Sequence, residues 1–320
     1  MSTIDDVLNE KPLIVIDEKP DVIPGQGEGE TPVIDIETDD EVPSDGPARP
    51  RRRWPWVVGS AVITALVCLL AVGGYKYYRT YINVGIPVSL SSEQNIEKLK
   101  APAAPVKPEV VMTSDSILGV AFNLYELRGL KAEISFEEPD STDQSVYLYS
   151  HSGDFTSYDA STNYYLGSLV AQGKVLQSDV SRLGYFAMAG DNVVIGVARD
   201  EKVKDYCVEQ GGSFFRQFIL VSCGVLPNRF YLHGKVERRA LGRMGDTLYY
   251  IESRGKEVMW AFADALREYG FTDAIYITGG ASYSFYRDAE GHCHGIGNAT
   301  FREEKPAGKG IVPWLVFRKR

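Results

Sequence analysis

From Val57 to Gly74 the chain runs VVGSAVITALVCLLAVGG, eighteen residues without a charge. Wound as a helix at about 1.5 Å per residue and extended by its flanks, that run covers the roughly 30 Å of a bilayer's hydrocarbon core. Trp54 and Trp56 stand at one end and Tyr75, Tyr77 and Tyr78 at the other. These positions suit interfacial aromatic belts, which a buried soluble helix has no reason to carry at both ends. The reading is a transmembrane helix over 54–78. Arg49 and Arg51, Arg52 and Arg53 outnumber Lys76 and Arg79 across it. That bias predicts a single-pass membrane protein with a cytoplasmic N-terminus and the rest of the chain outside. The run starts more than fifty residues in and no small-residue cleavage site follows closely. A signal anchor is therefore expected, not a cleaved signal peptide.

The span also divides the charge. The chain carries −9, yet residues 1–50 hold 14 Asp/Glu against 3 Lys/Arg, or −11, which leaves +2 for the remainder. An acidic isoelectric point thus describes the tail and not the outer domain. A domain at +2 lacks the basic excess that phosphate-backbone binding needs, so no nucleic-acid partner is expected. The tail has no aromatic residue and alternates units such as Leu13-Ile14-Val15-Ile16-Asp17 and Val33-Ile34-Asp35-Ile36-Glu37 with Pro, Gly and acidic residues. Such composition predicts disorder, or short strands added to a partner's sheet edge, with a cytoplasmic protein as the tail's partner.

Beyond the membrane, residues 79–109 read as a Pro-rich stalk, extended except for a short helix within 91–100. Residues 110–320 are enough for one domain with a sizeable core. Alternating β-branched and aromatic residues predict strands at 145–149, 191–197, 218–221 and 247–251. The clearest helix runs over Lys256–Tyr269, with Val258, Phe262, Ala265, Leu266 and Tyr269 on one stripe and Gly270 as its C-cap. A weaker helix is expected at Asn163–Gln177, interrupted by Gly167 and Gly173. The class is α+β, a single mixed-sheet domain with few helices. Outside the span lie Cys207, Cys223 and Cys293. An oxidising compartment allows one disulfide, for which Cys207 with Cys223 is the preferred pair, and three free thiols are the alternative.

Two glycine-bearing stretches carry the chemistry. One is Gly211-Gly212-Ser213-Phe214-Phe215-Arg216, followed by Arg238-Arg239-Ala240-Leu241-Gly242. The other is Asp273-Ala274-Ile275-Tyr276-Ile277-Thr278-Gly279-Gly280-Ala281-Ser282, directly after the amphipathic helix. A strand ending in Gly-Gly lets backbone approach a ligand closely, or simply makes a tight turn. Planar guanidiniums suit a phosphodiester, and aromatics such as Tyr276, Tyr283, Phe285 and Tyr286 suit sugar faces.

In this order the pieces resemble the phosphodiester glycosidase family, with its uncovering-enzyme-like and bacterial exopolysaccharide-associated members. The resemblance is firm over Gly211–Asp288. Family segments read approximately R-T-A-I-G and D-A-x-x-L-D-G-G-G-S and line a pocket where a sugar held through a phosphodiester is cleaved. Carried over, Arg238 matches the arginine, Gly242 the turn glycine, Gly279 and Gly280 the glycine pair and Ser282 the serine. Thr278 replaces the acidic residue before the glycines and Ala281 the third glycine. The resemblance therefore implies a catalytic role for Arg238 and Thr278, and substrate binding by Arg216, Arg239, Gly279, Gly280 and Ser282. It implies a glycan or glycosyl phosphodiester of envelope or exopolysaccharide as ligand. The lost carboxylate leaves two classes open, an enzyme whose acid comes from elsewhere and a non-catalytic glycan-binding or envelope-assembly module. Glu237, Glu252, Asp273 and Asp288 are the candidate replacement acids. His292 and His294 share a face if extended but have no third ligand at a recognisable spacing, so no metal is assigned, and the cofactor stays unknown. Asn298-Ala299-Thr300 is a glycosylation sequon that matters only in a eukaryote.

Overall fold

The computed structural model describes residues 54–77, 85–103, 105–159, 162–230, 232–280, 282–297 and 312–320. The acidic tail, the first part of the expected stalk and the sequon lie outside them. Helix α1 (Trp54–Tyr77) is long and apolar enough to cross a bilayer, with a mean hydropathy of 2.0 over Val58–Tyr77 and none of that window buried. An unburied apolar helix of this length fits a single-pass membrane anchor.

The domain is built from antiparallel strands. The first sheet has the order β1 (Glu109–Ile117), β2 (Val120–Arg128), β14 (Thr247–Ser253), β13 (Arg238–Met244), β15 (Asp273–Gly279), β12 (Ile219–Val221). A second has the order β10 (Asn192–Val197), β9 (Gly184–Ala189), β11 (Ser213–Gln217), β7 (Leu169–Ala171), β8 (Lys174–Gln177). The third runs β17 (Cys293–Gly297), β16 (Tyr283–Arg287), β4 (Val146–His151), β18 (Trp314–Lys319), β3 (Leu130–Ser135). A hairpin, β5 (Phe155–Asp159) with β6 (Thr162–Tyr165), stands apart. The three sheets share one apolar core, to which Tyr125, Tyr250 and Ile275 come from the first, Phe186 and Phe215 from the second, and Leu148 and Phe317 from the third.

Helices cover the outer faces. Helix α4 (Met259–Tyr269) lays Phe262, Ala263 and Leu266 on the first sheet against Phe122, Ala240 and Tyr276. It ends where expected, since Gly270 adopts φ +111° and its N–H bonds back to the last turn. Helices α2 (Ser92–Lys100) and α3 (Lys202–Glu209) cover the second sheet.

Three expectations change. Over 163–177, positive φ at Gly167 and Gly173 breaks the chain into β6, β7 and β8 where a helix was expected. No disulfide forms, and all four cysteines are free. Cys207 is buried in α3, where desolvation pushes its thiol up to about 12, while Cys223 occupies a tight turn at φ +50° beside the first sheet.

The third change concerns the stalk. Its second half belongs to the domain, because Ser91 and Gln94 form a capping box that starts α2, and Ile86, Asn95 and Leu99 are buried. Asn95 donates to the Tyr185 hydroxyl at 2.7 Å. Leu99→Ala is accordingly expected to cost about 2–4 kcal/mol in denaturant unfolding, as a core truncation does. A cost under 0.5 kcal/mol would return the segment to the stalk.

Candidate functional site

Strand alternation decides which of the sequence-marked residues meet. Neighbours on a strand point to opposite faces, so Arg238 and Arg239 cannot serve one site. Arg238 lies with Ala240 on the face of the first sheet that α4 covers, and Tyr276, paired with Ala240, shares that face from β15. The register shifts between Arg239 and Ala240, leaving Ile277 as the extra residue of a β-bulge and bringing Arg238 opposite Gly279.

At this sheet end stands a carboxylate that the sequence did not mark, Asp154. It follows β4 of the third sheet, yet its Oδ1 accepts from the Tyr276 hydroxyl at 3.3 Å, and the Thr278 side chain is near enough to favour its ionised form. The Arg238 guanidinium carbon lies 5.7 Å from the Tyr276 ring centroid, and its charge acts on that phenol. Arg238 is held by the carbonyls of Glu257, at 2.9 Å, and Gly234, at 2.5 Å, while its N–H donates to Ser253 Oγ at 2.7 Å. A fixed guanidinium, a phenol and a carboxylate thus stand side by side.

Burial pushes Asp154 up to about 6, against the opposing pull of the Tyr276 and Thr278 hydroxyls and the Arg182 and Arg238 charges. Tyr276 is raised well above its ordinary value, first by burial and then by the Asp154 charge, so its phenol stays protonated as a donor. Two close approaches place the acid. A Cβ on Gly153 would meet Gln217 Nε2 at 2.5 Å and the Tyr165 hydroxyl at 2.6 Å, so only glycine lets the backbone enter here. A Cβ on Gly279 would meet the Tyr276 hydroxyl at 2.7 Å and the Glu237 carbonyl at 2.8 Å.

The other sequence-marked residues lie elsewhere or are already engaged. Arg239 is on the opposite face, ion-paired with Glu252 at 2.9 Å and bonded to the carbonyls of Gly280 and Ser282. Arg216 faces α2 and α3 beside Phe214 and pairs with Glu201. Gly280 takes φ +66°, and its N–H donates to the Glu237 carbonyl at 2.9 Å. Ser282 is buried and its Oγ has no partner. Tyr283 and Phe285 pack around Tyr149 in the third sheet's outer core instead of facing a ligand.

Of the candidate acids, Glu252 is bound to Arg239, Asp273 accepts from the Cys223 N–H, and Asp288 is held down to about 2, chiefly by its bond to His294. His294 thus serves a turn, and among the described residues no group of three metal-ligating side chains occurs. A groove lined by Asn228, Phe230, His233 and Trp260 opens beside the segments that anchor Arg238, with Trp260 56% exposed.

The fold and cluster together define a three-sheet antiparallel α+β protein with a half-buried acid beside a buried phenol and a buried guanidinium at one sheet end. No family model and no curated protein matches the chain. Among solved structures, it is similar to the catalytic domain of zebrafish N-acetylglucosamine-1-phosphodiester alpha-N-acetylglucosaminidase, auto-inhibited by its pro-peptide. The identity is 13%, over 69% of this chain and 85% of that one, with a TM-score of 0.47. It is also similar to a hypothetical protein from Synechocystis, at 10% identity over 69% of this chain and 65% of that one, with a TM-score of 0.49. The likeness is distant and is one of fold alone.

Proposed function

We propose that this chain is a membrane-anchored hydrolase of glycosyl phosphodiesters in which Asp154 carries the proton. Its N-terminus lies in the cytoplasm of a bacterial cell and its domain in the periplasm, where envelope polysaccharide or exopolysaccharide supplies the substrate. The observation that carries this reading is a carboxylate hydrogen-bonded by the Tyr276 hydroxyl, flanked by arginines and raised by desolvation to about 6.

That value suits the reaction. When the bond between the sugar C1 and the bridging oxygen breaks, the leaving group is a phosphomonoester whose second ionisation lies near 6. Asp154 gives its proton to the bridging oxygen, and water adds its hydroxyl to C1 and returns a proton to Asp154. Donor and leaving group are matched, the condition for efficient general acid catalysis. Arg238 acts through Tyr276 and positions the acid. Exposed Trp260 offers a face on which a sugar ring can stack.

A second reading is favoured by the engaged donors. With the Gly280 N–H and the Arg239 guanidinium used inside the fold, the cluster suits a glycan-binding or envelope-assembly module that does not turn over. Incubating the full chain in detergent micelles with the methyl phosphodiester of α-N-acetylglucosamine 1-phosphate separates the two. Sugar release that falls at least about tenfold in Arg238→Ala supports the hydrolase. Saturable binding without release supports the module.

A further inference from the structure

The domain's buried arginines are mostly occupied. Arg216 and Arg239 pair with Glu201 and Glu252, Arg238 is bound by two carbonyls, and Arg287 is surrounded by four carbonyls. Arg318 bridges Glu133 and Asp143. Arg182 differs from all of these. Its guanidinium carbon lies 4.1 Å from the centroid of the Phe218 ring, and its Nε is buried with no hydrogen-bond partner; Arg216 and Arg239 also have an unpartnered buried Nε, but each is ion-paired through another nitrogen. Among the described residues it makes no hydrogen bond or ion pair.

Its position is beside the acid and the phenol. The Phe218 carbonyl accepts the Tyr276 N–H at 2.9 Å, the two rings are 6.3 Å apart, and the Tyr276 hydroxyl reaches Asp154. Arg182 also acts electrostatically on Asp154. A desolvated, unpaired guanidinium N–H is unfavourable unless a ligand completes it. Stacking on an aromatic face fixes the plane of the fork, which then presents parallel donors.

We propose that Arg182 is the anion-binding residue of this site and receives the two non-bridging oxygens of a phosphodiester, with Phe218 as its backing. This rests on the hydrolase reading for the substrate, but it assigns the phosphate contact to a residue outside the glycine-bearing motifs. A phosphodiester monoanion offers two equivalent oxygens to a planar fork, whereas a neutral sugar hydroxyl does not. The bound anion also disfavours charge on Asp154 and so holds the proton where the leaving oxygen needs it.

The test is binding of dimethyl phosphate to the full chain in micelles, followed by phosphorus NMR line broadening. Loss of affinity by about 10- to 100-fold in Arg182→Gln is expected, with a smaller loss in Arg182→Lys, which keeps the charge without the fork. Near-UV circular dichroism checks that both variants fold, and the surface variant Lys174→Gln controls for net charge. Wild-type affinity no tighter than that of Arg182→Gln overturns the proposal, as does an unchanged KM for the phosphodiester in that variant. The two readings fail separately. Arg182-dependent binding without sugar release sinks the hydrolase and leaves the anion site standing, while release unaffected in Arg182→Gln does the reverse.

Discussion

Asp154→Asn is expected to lower sugar release from a glycosyl phosphodiester by at least about 100-fold and, at the same time, to make the folded chain more stable at pH 7. The first effect follows from removing the proton; the amide keeps the volume and its oxygen still accepts from Tyr276. The second follows from linkage. The folded-state value of about 6 is above the ordinary 3.8, so between those values the native state binds more protons than the unfolded one. The contribution of Asp154 is therefore least unfavourable at acid pH, and stability falls as pH rises from about 4 to 6. Above that window the ionised, desolvated carboxylate costs up to about 3 kcal/mol, which asparagine does not.

His151 works in the opposite direction. Burial, aided by the Arg239 charge, pulls its imidazole down to about 4 from the ordinary 6.5. Its contribution is present above 6.5 and is lost as pH falls through about 4. The two slopes oppose each other in the wild type, with Glu252, also raised by burial, adding to the sense of Asp154. Urea unfolding from pH 4 to 7 is thus expected to give a shallow profile in the wild type and a steeper rise with pH in Asp154→Asn. Parallel profiles in the two proteins would falsify the assigned burial of this carboxylate.

Much of the fold was legible because the signals were local. The apolar run, the stripe and C-cap of α4 and the strand at Asn192–Val197 each rest on spacing within one segment. The helix expected over 163–177 shows the limit, since glycines that tolerate positive φ were read as interruptions when they were turns. At the site, Arg238 and Thr278 were visible through their motifs, whereas Asp154 was not. It follows a glycine after a strand, as turn aspartates commonly do, and reaches Tyr276 across 122 residues of sequence. Arg182 was equally silent, because its stacking on Phe218 joins a loop between β8 and β9 to the link from β11 to β12, segments far apart in the chain. Adjacent Arg238 and Arg239 looked alike in sequence, but a strand must send them to opposite faces.

That division gives the other large effect. Arg239→Met is expected to destabilise the domain by about 3–5 kcal/mol, while Arg239→Met with Glu252→Leu recovers most of the loss. Arg239 is 2% exposed in its side chain and Glu252 11%, so removing the guanidinium leaves a carboxylate that burial already raises without its partner. The carbonyls of Gly280 and Ser282 lose a donor in the same step. Gly297 shows how tightly the guanidinium is packed, since a Cβ there would lie 2.7 Å from an Arg239 nitrogen. Denaturant midpoints of the three proteins measure the stability effect, and a cost under 1 kcal/mol in the single variant sinks it. The double variant also decides what the arginine does. Because Arg239 faces away from Asp154, a refolded double variant should release sugar with an unchanged KM. A folded double variant that loses phosphodiester affinity would instead place Arg239 against the ligand, and strand alternation at β13 would have to be broken to bring it there.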